Sequence, residues 1–210
     1  MHIAITGNIG AGKTTLAALL ANQYGWETLY EAVDGNPFLA DFYADMPRWA
    51  FHLQLYFLNS RFGQMRRVRA VAEAGGTTVI QDRTIYEDAY IFARNLHQAG
   101  TLSDREYATY RSVFDNMLSL VRPPDLMIYL RADLPKLRQQ IRSRGRDYEQ
   151  DISDEYLNNL NHLYEDFAQN YNEGTLLVVD VNALDYQKNP GDFAFITGQI
   201  DEIISQQDLN

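Results

Sequence analysis

Residues 7–14 read Gly-Asn-Ile-Gly-Ala-Gly-Lys-Thr, a full match to G-x-x-x-x-G-K-[ST]. An apolar, β-branched run, Ile3–Thr6, leads into it, and a helical pattern, Thr15–Tyr24, follows. No other stretch restricts the fold so much, because the motif works only at the turn from a buried strand into a helix. Its glycines let backbone N–H groups turn inward around phosphate oxygens, and the helix N-terminus adds partial positive charge. Lys13 can reach the terminal phosphates, and Thr14 offers a hydroxyl to Mg²⁺. A glycine turn could be structural alone. The complete motif in this context instead makes Gly7, Asn8, Ile9, Gly10, Ala11, Gly12, Lys13, Thr14 and Thr15 a nucleoside triphosphate site. The loop does not say what accepts the phosphate.

Four more short apolar runs follow: Glu27–Tyr30, Thr77–Ile80, Leu126–Leu130 and Leu176–Asp180. Several are too uniformly apolar to have a wet face, as expected for parallel strands covered on both sides. Alternation with helical segments predicts an α/β fold of the P-loop NTPase kind, a five-stranded parallel sheet with helices on both faces. The helix signals agree. Thr84 with Glu87, and Ser103 with Glu106, fit capping boxes. Asp133 before Pro135, and Ser153, mark two further starts. Gly100 is a stop for a helix over about 85–98, and Pro47 to Gly75 reads as one long helix or two nearly continuous ones. Phe193, Ile196, Ile200 and Ile203 share a face of a closing helix. Nothing divides the chain, so residues 1–210 are expected to form one domain.

Composition narrows the function. The net charge of −10 argues against nucleic acid or an anionic membrane as the main partner, but it leaves room for a local basic pocket around a small anion. The absence of cysteine excludes disulfides, thiol nucleophiles and thiolate zinc sites. His2, His52, His97 and His162 lack metal-ligand spacing. The N-terminal residues carry no targeting signal, and a cytoplasmic protein is expected.

Ligands of parallel sheets sit beyond the carboxyl ends of the strands. Glu31, after the second strand, and Asp82-Arg83, after the third, should therefore converge on the phosphate loop. An attacking alcohol must lose a proton, and Glu31 is a candidate base, although a carboxylate there could equally be a surface residue. Gln54 and Arg61 share one face of the long helix, which is also what a wetted polar stripe looks like. Asp88 could simply favour a helix N-terminus, and Phe92, one turn on, could be ordinary core. Residues 136–149, KLRQQIRSRGRDYE, gather Lys136, Arg138, Arg142, Arg144 and Arg146. Such a run is a solvated helix face, or a cationic lid over a transferring phosphoryl group.

Five pieces occur in one order: GNIGAGKTT at the loop, Glu31-Ala32-Val33, RWAFHLQLYFLNSR at 48–61, DRTIYEDAYIFARNL at 82–96 and RSRGRDYEQDI at 142–152. Together they resemble the deoxyribonucleoside kinases, the group of deoxycytidine, deoxyguanosine and deoxyadenosine kinases. The compact length looks most like the bacterial deoxyadenosine/deoxyguanosine enzymes. The resemblance spans nearly the whole chain.

It implies ATP-dependent 5′-phosphorylation of deoxynucleosides, with ATP and Mg²⁺. Glu31 becomes the base for the 5′-hydroxyl, assisted by Lys13, Arg83, Arg144 and Arg146. Thr14 and Asp82 hold the metal; Arg142, at a position where the family varies, is placed with the loop at the ATP phosphates. Gln54 pairs with the base edge, Phe92 stacks on it, and Tyr43 and Glu149 hold the 3′-hydroxyl. Arg61 and Asp88 form a pair that admits adenine, guanine or cytosine and disfavours thymine. The lid covers about residues 136–150, and residues 182–186 lie near the donor base. A homodimer built on the long helix and the helix from Ser103 is implied as well. Two departures stand out: Gln140 where the family often has Arg, and Ala32 in place of a usual proline. A monophosphate kinase resembling thymidylate kinase is the enzymatic alternative. It would need basic groups for the acceptor's own phosphate, which Glu31 would repel. A non-catalytic nucleotide-binding subunit is the other alternative.

Overall fold

The computed structural model describes residues 1–30 and 35–207, and excludes the side chains of residues 147 and 148. Five strands form the sheet: β1 (His2–Gly7), β2 (Glu27–Leu29), β3 (Val79–Asp82), β4 (Leu126–Arg131) and β5 (Thr175–Asp180). Their order is β2-β3-β1-β4-β5, and every pair is parallel. β1 is central and buried along its whole length, which explains why it carries no charge and ends in the loop glycine.

Helices cover both faces. On one, Ile3, Ile5, Ile128 and Leu130 pack against Leu16 and Leu20 of the loop helix (Lys13–Tyr24) and Ile196 and Ile200 of the closing helix (Pro190–Gln207). On the other, Met127 lies under the long helix (Met46–Glu73) and the Asp104–Leu118 helix, while Tyr129 packs on the Asp154–Asn170 helix. The chain leaves β1 on the first face and β3 on the second, so a crevice opens between the loops after these two neighbouring strands.

The third strand is shifted from the sequence expectation of Thr77–Ile80. It begins at Val79 because β1 begins at His2, its partner, and it continues to Asp82 because Ile5 is still there to pair. The stretch from Pro47 to Gly75 resolves as one helix, Met46–Glu73, with Pro47 in its first turn and Asp45 accepting from Arg48 N. The helix after β3 is not uniform: Asp88–Ala93 is π-helical between α-helical Ile85–Glu87 and Arg94–Gln98. Short π segments tend to occur at functional positions, and this one carries Asp88 and Phe92. Both capping boxes form, and Ser153 caps its helix. Asp133 stands at an N-cap without a side-chain bond.

Candidate active site

A cleft of about 690 Å³ opens at the carboxyl edge of the sheet. Ile9, Gly10, Gly12, Lys13, Thr14 and Thr15 form its floor, Asp82 and Arg83 one wall, and Tyr43, Gln54, Asp88 and Phe92 the far end. Arg144, Arg146, Glu149 and Gln140 also line it. Glu31 lies outside the described residues. β2 ends two positions before it, at Leu29, beside Gln81 of β3.

The loop conformation depends on its glycines. Gly12 has φ +98°, and a Cβ there would lie 2.0 Å from the Tyr186 hydroxyl. Gly10 has φ +84°, with the Leu137 carbonyl 2.8 Å from the same imaginary atom. Lys13 folds its ammonium back onto the Gly7 and Asn8 carbonyls at 2.7 and 3.0 Å. The Asn8 side chain turns away from the cleft. Its amide donates to Leu157 O (2.9 Å) and Asn161 Oδ1 (2.6 Å), tying the loop to the Asp154–Asn170 helix.

Thr14 Oγ1 donates to Asp82 Oδ2 at 2.6 Å. Asp82 is buried, and its Oδ1 has no hydrogen-bond partner among the described residues. A hydroxyl beside a carboxylate with spare acceptor capacity is an all-oxygen donor set, which suits a hard divalent cation. No group of three or more His, Cys, Asp or Glu side chains that could hold a metal occurs among the described residues. A cation here would therefore draw its remaining ligands from phosphate oxygens and water.

Arg83 is the one non-glycine residue with positive φ (+73°) among those described. A left-handed arginine is strained, and such strain persists only where surrounding contacts fix it. Those contacts are specific. The guanidinium carbon lies 4.5 Å from the Phe92 ring centroid, and Nη1 donates to Tyr164 Oη (3.2 Å). The Glu87 carboxylate is 3.5 Å away. Burial first, and the neighbouring Glu87 carboxylate second, push the Tyr164 hydroxyl well above its ordinary value, so it remains a proton donor.

At the far end, Gln54 is buried, and its Oε1 has no partner among the described residues. Arg61 Nε and Asp88 Oδ2 are 3.6 Å apart, with side-chain exposures of 0% and 3%. Asp88 faces the cleft, and Arg61 stands behind it rather than on the cleft wall. The Tyr110 hydroxyl is enclosed without a hydrogen-bond partner among the described residues. Burial and then Asp88 push it well above its ordinary value.

Over the cleft, the Leu134–Arg144 helix ends at Gly145 (φ +70°), and a short helix, Asp147–Gln150, follows. Arg144 pairs with Glu149, and Arg146 Nη1 lies 3.2 Å from the same carboxylate. Arg142 is exposed and does not line the cleft, unlike its neighbours. Three buried neighbours of the cleft residues are not marked in the sequence: Tyr164 and Tyr110, which look like core aromatics, and Glu87, which looks like a capping residue only. The signal available for Glu87 was an acidic residue in an otherwise apolar first turn, Ile85-Tyr86-Glu87.

Residues 3–205 match the Deoxynucleoside kinase family. A deoxyadenosine kinase of Dictyostelium discoideum is 46% identical over 168 residues, covering 80% of this chain and 66% of that protein. A deoxyadenosine/deoxycytidine kinase of Bacillus subtilis (strain 168) is 38% identical over 204 residues, covering 96% of this chain and 92% of that one. The structure of deoxyadenosine kinase from M. mycoides with products dCMP and a flexible dCDP bound superimposes with a TM-score of 0.83 at 30% identity. It covers 96% of this chain and 100% of that chain.

Proposed function

The chain belongs to the deoxynucleoside kinase family, a family of phosphotransferases, and from that premise we propose that it moves the γ-phosphoryl group of ATP to the 5′-hydroxyl of purine deoxynucleosides. Deoxyadenosine and deoxyguanosine are the main acceptors, deoxycytidine is a third, and thymidine is disfavoured. The observation that carries the reading is a single cleft joining a complete phosphate loop at one end to buried Gln54 and Asp88 at the other, with Arg61 paired behind Asp88.

In this reading Glu31 accepts the 5′-hydroxyl proton. Lys13, Arg83, Arg144 and Arg146 offset the charge that spreads over the equatorial phosphoryl oxygens. Thr14 and Asp82 would hold Mg²⁺, which supplies further charge neutralisation at the phosphates. Arg144 and Arg146 reach the phosphates from a lid that swings about Gly145. Arg142, exposed in this arrangement, contributes only if that lid turns. Tyr43 and Glu149 hold the 3′-hydroxyl, and Phe92 stacks on the base.

Gln54 presents an amide, donor and acceptor together, to the base edge. Arg61 acts on the base through Asp88. A base that leaves this desolvated pair unmatched is rejected, by roughly 10²-fold or more. Two chains associate through the Met46–Glu73 and Asp104–Leu118 helices, and the enzyme works in the cytoplasm.

The test incubates wild type and Glu31→Ala with labelled ATP, Mg²⁺ and each deoxynucleoside or deoxynucleoside monophosphate. The reading expects purine deoxynucleosides to be labelled by wild type and not by the variant. Labelling of monophosphates alone would point to a monophosphate kinase, and no labelling to a non-catalytic subunit.

A further inference from the structure

Glu87 has no exposed surface. A carboxylate this deep keeps its charge only where hydrogen bonds and a countercharge replace lost hydration. Oε2 accepts from Thr84 N at 2.8 Å, which is its share of the capping box. The box asks no more of a side chain, and a neutral glutamine can meet it. The same motif recurs at Ser103–Glu106, where both hydrogen bonds of the glutamate go to Ser103.

Glu87 differs in the use of its second oxygen. Oε1 accepts from Tyr164 Oη (2.7 Å) and from Gly7 N (3.4 Å), and Arg83 Nη1 lies 3.5 Å away. Gly7 is the first residue of the phosphate loop and the last of β1. Arg83 stands at the end of β3, and Tyr164 belongs to the Asp154–Asn170 helix. One oxygen thus meets three segments that are remote in sequence, two of which bear on the transferring phosphate.

We propose that Glu87 is a positioning residue that fixes the Arg83 guanidinium relative to the start of the phosphate loop, with the Tyr164 hydroxyl bridging carboxylate and guanidinium. The inference rests on the kinase reading of the site. Arg83 is held from both sides, by Phe92 on one and by Glu87 and Tyr164 on the other. Its left-handed backbone is the strain that such clamping sustains. Without the second oxygen, the guanidinium is free to move by about the 1 Å that costs on the order of 10²-fold in rate.

Glu87→Gln keeps an oxygen for Thr84 N–H but presents an amide NH₂ toward the Gly7 and Arg83 donors. The expected result is a fall of about 10–10²-fold in kcat for deoxyadenosine, with both KM values changed less than about threefold. Tyr164→Phe, which leaves the cap intact, should lose about 3–10-fold in kcat in the same pattern. Because Glu87 acts through Arg83, adding Glu87→Gln to Arg83→Lys should slow the enzyme by no more than about twofold further.

A folded Glu87→Gln with wild-type kcat, or fully additive effects with Arg83→Lys, would overturn the proposal. If Glu87→Gln does not fold, wild-type kcat in Tyr164→Phe does the same. Wild type that labels no deoxynucleoside would remove the kinase reading and this inference together, and that failure is read from the wild-type arm alone.

Discussion

The two ends of the cleft solve the problem of holding charge in opposite ways. At the phosphate end Lys13 and Arg83 are buried, but the two arginines above them, Arg144 and Arg146, keep about a third of their side-chain surface exposed. Arg144 and Arg146 share the Glu149 carboxylate, on a segment that turns at Gly145 with φ +70°. At the base end Arg61 and Asp88 have almost no exposed side-chain surface and sit between packed helices. In the first arrangement water reaches the two guanidinium groups although Glu149 itself is buried, so either arginine can leave while the other still pairs with the carboxylate. The second has paid its desolvation in the fold, and removing either partner leaves a buried charge. Movable charge suits a group that must follow a travelling phosphoryl. Fixed charge suits a group that must refuse a misfit base. In the proposed reading, chemistry belongs to one end and choice to the other.

The largest effects should come from the phosphate floor. Lys13→Ala is expected to lower kcat by about 10³-fold or more, with unchanged circular dichroism. Chelating Mg²⁺ should stop turnover, and adding it back should restore the rate without refolding. Next, Asp88→Ala should destabilise the protein by about 3 kcal/mol or more in urea titration, because Arg61 stays buried and loses the Asp88 carboxylate. Arg61→Met combined with Asp88→Ala should recover most of that loss. Smaller again, Arg144→Ala should cost about 10–10²-fold in kcat, while its unfolding free energy falls by about 1 kcal/mol or less, because Arg146 still pairs with Glu149. If the lid variant were the unstable one and the base-end variant the stable one, the contrast would be reversed.

The two ends also differ in how legible they were from sequence. The phosphate loop is local: eight consecutive residues carry its geometry, and strand, turn and helix follow from them. The strands were visible as β-branched apolar runs. The limits of β3 were not, because its start is set by where β1 begins. The π segment at Asp88–Ala93 has no side-chain signature, since it is a shift in the backbone hydrogen-bond ladder. Gln54 and Arg61 looked like a polar stripe, and only the resemblance to a family singled them out. The structure adds that Arg61 lies behind Asp88 and that Tyr110 is buried near both. Glu87 is legible in the sequence as a cap, from Thr84 three residues before it. Its contact with Tyr164, 77 positions later, depends on packing that no local pattern records.

The separation of chemistry from choice is tested most directly by the ratio of kcat/KM for thymidine to that for deoxyadenosine. It should be measured side by side in wild type, Arg144→Ala and Arg61→Met/Asp88→Ala. The expected ratio is below about 10⁻² in wild type and unchanged in the lid variant, and it rises at least about tenfold in the base-end variant. Equal use of thymidine and deoxyadenosine by wild type, or a ratio that moves with Arg144 and not with the buried pair, would contradict the account.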